Sequence, residues 1–156
     1  MKPLLAAAFA LAVALAGDHA LAQDIARLVT QADVEKATGL KFKPATYPMK
    51  TQAMFVQDGG DVQLSVDVEP REASTTVRGW EATLKKMRPD TKVDTIPGVG
   101  KDAIYYSTRP DSGALSADYE KPLVQMRVAV ALAKDPAQAK QYVLAVAKVV
   151  GPRVGK

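Results

Sequence analysis

Cysteine is absent from this chain of 156 residues, histidine occurs once, at position 19, and aromatic residues make up only 6%. Without thiols there is no disulfide framework, no Cys nucleophile and no thiolate metal site. The lone imidazole falls in what reads as an export segment, so Ser-His catalysis and structural zinc are excluded from the rest. A strong charge of one sign is also lacking, since 21 Lys+Arg against 17 Asp+Glu leave +4. The bases are dispersed, with no interleaved aromatics and no basic helix, so no nucleic-acid partner is expected. The longest apolar run, residues 4–16, has 13 residues, well short of the ~20 that a membrane span needs.

What is present begins with that run. Lys2 precedes it and Ala20-Leu21-Ala22 follow it, the three-part pattern of a secretory signal cleaved after Ala22. No Cys follows the run for lipid attachment, and no twin arginine points to export of a folded, cofactor-loaded chain. Residues 1–22 hold one base, one acid and the histidine, so 134 residues remain with 20 bases and 16 acids. Residues 23–156 read as a single globular domain, long enough to hold a core by packing alone. A periplasmic or secreted protein is expected, monomeric, with no span in the mature chain and no cofactor or metal.

The pattern of the mature chain predicts an α+β fold. Thr30 and Asp33 form a capping box before Val34 and Ala37, and Gly39 closes this first helix. Three strands follow, around Leu40/Phe42, at 54–56, and at 62–69, where Val62, Leu64, Val66 and Val68 alternate with polar residues. Asp58-Gly59-Gly60-Asp61 reads as a hairpin loop. Val77, Trp80, Leu84 and Met87 make one helical stripe, with Ser74 as its cap and Pro89 as its end. Segments 92–96, 103–108, 114–120 and 123–132 are strand-like. Asp135, Pro136 and Gln138 open a last helix whose stripe runs from Ala139 to Val150. The order is α-βββ-α-ββββ-α, with six or seven mostly antiparallel strands in two meanders and three helices mainly on one face.

The opening Thr30 to Gly39 helix, the Pro97-Gly98-Val99-Gly100-Lys101 turn with its following strand through Tyr106, and the hairpin and amphipathic helix after it carry a resemblance. They resemble small exported bacterial α+β domains of TATA-binding-protein-like or PsbP/Mog1-like build. The resemblance spans most of the mature chain and implies a noncatalytic envelope protein, with no site residues to carry over. Many such domains are lipoproteins or hold a Cys pair; this chain departs on both counts.

Several residues invite a chemical reading. Gly98 to Lys101 has glycines and a lysine, but lacks the spacing of a phosphate loop and precedes a strand, so it reads as a turn. Asp58 and Asp61 offer too few oxygens for calcium. Met49 and Met54, five apart without histidine, suit packing better than copper(I). Lys85, Lys86 and Arg88 form the densest basic run, expected on a solvated helix face. Trp80 is expected to anchor the core, and Tyr105 and Tyr106, on opposite sides of a strand, to be one buried and one exposed. Alternation places Gln63, Ser65, Asp67, Glu69, Ser116, Asp118, Glu120, Gln125 and Arg127 on one polar sheet face left in water by one-sided helix packing. Asp67, Glu69, Asp118, Glu120 and Arg127 are accordingly the candidate binding residues, for an envelope protein or a small ligand. The competing readings are a carboxylate-dependent hydrolase built on paired acids of that face, and a carrier holding a small apolar ligand between helix and sheet near Trp80, Leu84 and Tyr142.

Overall fold

A computed structural model describes residues 24–154 and 156, with only the backbone of Thr108; the expected export segment lies outside the described residues. Two short helices come first among the described residues, α1 (Ile25–Leu28) and α2 (Gln31–Thr38). The capping box of α2 forms as expected. The Thr30 hydroxyl accepts from the Asp33 amide, the Asp33 carboxylate accepts from the Thr30 amide, and Gly39 ends the helix at φ 74°. α1 has only four residues, too few to register as a periodic pattern, and is held by Asp24, whose side chain accepts from the Ala26 amide.

The strands β1 (Thr46–Met49), β2 (Gln52–Val56) and β3 (Gln63–Pro70) form the first meander, and β4 (Val93–Thr95), β5 (Asp102–Arg109), β6 (Ser112–Glu120) and β7 (Leu123–Ala131) the second. They join into one seven-stranded sheet, order β1-β2-β3-β7-β6-β5-β4, with every neighbouring pair antiparallel. The first strand lies later than the pattern predicts: Phe42 makes only an isolated bridge to Gln57, and its apolarity reflects core contact instead. The true edge strand carries Pro48, which lacks an amide and is tolerated where one side is unpaired.

One face of the sheet is closed by three helices. α4 (Pro136–Val154) lies over β5, β6 and β7, α1 over β2 and β3, and α2 against α4. Eight residues of α4 are buried, among them Tyr142, Val143, Val146 and Val150; fully burying a side chain of this size contributes about 1.5–3 kcal/mol. They meet Phe55, Leu64, Val66, Leu115, Met126 and Val128 from the sheet in one continuous core. Arg153 at the far end of α4 closes this layer, donating at 2.6 and 2.9 Å to the two carboxylate oxygens of Asp33 and at 2.9 Å to the Leu28 carbonyl.

Among the described residues the opposite face carries one helix. The chain leaves the interior strand β3, crosses that face as α3 (Val77–Met87) and returns at the edge strand β4. Its cap is Thr76, whose hydroxyl accepts from the Gly79 amide, two residues beyond the predicted Ser74. α3 covers β5 and β6 through Val77 and Leu84, which pack on Ile104, Tyr106 and Ala114. Two expectations are corrected here. Tyr105 and Tyr106 are both buried, one beneath α4 and the other beneath α3, because each face of β5 has a cover. Trp80 does not anchor a core: it is 38% exposed and rests edge-to-face on Tyr106 at 6.4 Å, since Val77 and Leu84 seat the helix and leave the Trp80 and Met87 flank outside.

Candidate functional site, a groove beside helix α3

Strand register lays out the second face in rows. Glu69, Gln125, Asp118 and Asp102 form one; Gln52, Asp67, Arg127, Ser116 and Ile104 the next; Met54, Ser65, Ala129, Ala114 and Tyr106 the third; Gln63 and Ala131 continue into a fourth. Alternation thus assigned the polar residues to one side correctly. The side is not uniformly wet, because α3 roofs part of it.

Asp118 is the clearest correction. It is only 3% exposed, and its Oδ2 accepts at 2.9 Å from the amide of Val77, the first residue of α3. Gln125 Nε2 donates to its Oδ1 at 3.1 Å, and Arg71 Nε lies 3.5 Å from the same oxygen. The Arg71 guanidinium also donates to the carbonyls of Glu72, Thr75 and Tyr119, which shapes the loop into α3. A carboxylate at a helix N-terminus complements the dipole and an orphan amide together. Asp118 therefore pins one end of α3 to the sheet, and Ser116 beside it is buried too.

The other four expected residues separate. Glu69 and Glu120 are exposed at strand ends, Glu120 paired with Lys101. Asp67 is half-buried, taking a 2.6 Å hydrogen bond from Gln52 Nε2. Arg127 is exposed and is its cross-strand neighbour.

Beyond Leu84 the helix stands over a groove of about 600 Å³, within the range usual for small-molecule sites. Its floor is small side chains on central strands, Ser65, Ala114, Ala129 and Ala131; Met54 and Gln63 line the β2–β3 side; Trp80, Leu84 and Met87 form the helix wall. Three arginines border it, Arg88 after α3, Arg109 at the end of β5, and Arg127 from β7. Among the described residues no carboxylate lines it, and none of the three arginines forms an ion pair. Of the five residues expected from sequence, only Arg127 belongs to this groove. Trp80 and Arg88 carry other signals in the sequence, an apolar helix stripe and a basic run. The overlooked signal was Ala129 and Ala131, where the polar alternation of β7 gives way to small residues.

A second cavity, about 400 Å³, lies between the Gly98–Gly100 turn and α4, lined by Tyr119, Ala147, Lys148 and Gly151 among others. The Tyr119 hydroxyl is buried without a hydrogen-bond partner among the described residues, and desolvation pushes its pKa up to about 12. Among the described residues, no cluster of three or more His, Asp or Glu side chains is placed to hold a metal, and no helix is long and apolar enough to cross a membrane. Comparisons with family models, curated proteins and solved structures return no significant match. The fold and the groove therefore define the chain only as an α+β protein with an open, seven-stranded antiparallel sheet and a cleft under one helix.

Proposed function

We propose that this chain is an exported binding module of the bacterial envelope, working through the groove between α3 and the sheet. The observation that carries the reading is the groove itself: concave, walled by exposed apolar side chains, and bordered by three arginines with no acid among the described residues that line it. The address rests on residues 1–22, and a noncatalytic envelope role is also what the resemblance to TATA-binding-protein-like or PsbP/Mog1-like domains implies. A carboxylate hydrolase is less well supported, because Asp118 is committed to the α3 amide and Arg71 and the other acids of the face lie outside the groove. The carrier reading shares the groove in part: Trp80 and Leu84 line it, whereas Tyr142 packs on the opposite face.

The test compares the tagged mature protein with Ala131→Phe, which fills the floor. Both are recovered from their native periplasm, and bound proteins and extracted small molecules are read by mass spectrometry. Species enriched on the wild type and lost from a normally melting Ala131→Phe support the reading. Identical sets on both proteins overturn it.

A further inference from the structure

The groove offers a chemistry narrower than binding in general, and the inference rests on the proposed function. We propose that its occupant is a free single-chain carboxylate amphiphile, with the apolar chain along the Ala114, Ala129 and Ala131 floor and the carboxylate held by Arg88 and Arg109.

The direction of α3 locates the head. The Val77 amide sits on Asp118 and Trp80 rests on Tyr106, while Leu84, Met87 and Arg88 border the groove together with Ser112 and Gly113, so α3 runs along β6 toward Ser112 and delivers Arg88 to that end. Arg109 pairs with Ser112 in the sheet. Two guanidiniums thus border one end of the groove, where each fork of N–H donors matches both oxygens of a carboxylate. Arg127 is the weaker anchor, because its cross-strand neighbour is Asp67, whose charge offsets its own.

The walls decide what the rest of the ligand is. Trp80 and Met87 are 38% and 61% exposed, apolar surface that an alkyl chain would cover and take out of water. A peptide is disfavoured as occupant. The floor strands β3, β7 and β6 are interior to the sheet, so their backbone groups are already paired and offer no edge for strand addition. A lipid surface is flat and meets the rim before the recessed alanines.

Trp80 is the sole tryptophan and sits in the wall, so its emission reports occupancy. Laurate, below its micelle concentration, should shift Trp80 emission to the blue saturably at one per protein, while dodecyltrimethylammonium of equal chain length should bind at least tenfold more weakly. Arg88→Gln with Arg109→Gln should weaken laurate at least tenfold at unchanged melting temperature; Arg127→Gln should change it less than threefold. Equal binding of both detergents, or an unchanged double variant, overturns the proposal. So does binding to anionic phosphatidylglycerol vesicles without competition by laurate, which would make a membrane the occupant. If laurate fails while Ala131→Phe still loses the captured species, the ligand class is wrong and the binding module stands; if Ala131→Phe loses nothing, both fall.

Discussion

The two faces of the sheet are made from the same strands, yet they end differently. On one, α1, α2 and α4 close a continuous core, with eight buried residues from α4 alone. On the other, α3 contributes two, Val77 and Leu84, and leaves Trp80 and Met87 partly in water. The difference follows from connectivity. α4 follows the central strand β7 and folds back over β7, β6 and β5, whereas α3 crosses from β3 to the edge strand β4 and roofs β5 and β6. A helix anchored at its first residue by Asp118, above a floor of alanines, leaves a groove; a helix studded with valines above leucine and methionine does not. The continuous core lies on the first face, and the proposed binding groove on the second.

The largest expected effect tests that anchor. Asp118→Ala removes the acceptor of the Val77 amide at the start of α3 and leaves Arg71 buried without its counter-charge, a change that costs about 3–5 kcal/mol; chemical denaturation measures it. A loss below about 1 kcal/mol would mean that α3 is held elsewhere.

The next prediction sharpens the closure of the three-helix face. The hydrogen bond from Arg153 holds the Asp33 carboxyl well below its ordinary 3.8, the Thr30 amide and hydroxyl adding to it against the opposing effect of burial. The folded chain therefore holds this proton less tightly than the unfolded chain. The resulting stability is full above the ordinary value and is lost as pH falls below it toward the depressed one. Asp33→Asn should cost about 1–2 kcal/mol near neutrality and flatten the decline of melting temperature below pH 4. An acid limb identical to wild type would contradict the clamp.

Trp80→Ala compares the faces directly. Phe55→Ala in the closed core should cost about 3–5 kcal/mol, but Trp80→Ala only about 1–2, since over a third of its surface is already wet. Trp80 emission in the free protein should be accessible to iodide. Equal losses, or an unquenchable tryptophan, would erase the distinction between the faces. Tyr119→Phe should have the smallest effect, within about 0.5 kcal/mol of wild type or slightly stabilising, because it deletes a buried hydroxyl that bonds to nothing. A melting shift beyond that would reveal a partner for this group.

Local features were legible in the sequence and non-local ones were not. The Thr30–Asp33 box, the Asp135 to Gln138 helix start and the Asp58 to Asp61 hairpin each lie within a few residues, and each formed. Period-2 alternation correctly put Asp67, Asp118 and Arg127 on one side of the sheet. It could not say that Asp118 would be roofed, because that depends on where a helix forty residues earlier in the chain crosses. The stripe of α3 has the same limit: spacing of three and four marks the helix but leaves its rotation open by about a residue, enough to exchange Trp80 between core and rim. The candidate site was the least legible part. A groove is made by what is missing, and Ala129 and Ala131 matter only once Leu84 and Trp80 are known to stand above them.

Native-state amide hydrogen exchange tests the unequal faces most directly. The account predicts that the amides of Val143, Val146 and Val150 in α4, with those of β6 and β7, exchange only through global unfolding. Those of Lys85, Lys86 and Met87 in α3 should exchange through local opening at least about a hundredfold faster relative to their intrinsic rates. Protection of the last turn of α3 equal to that of α4 would contradict it, since the second face would then be closed as firmly as the first.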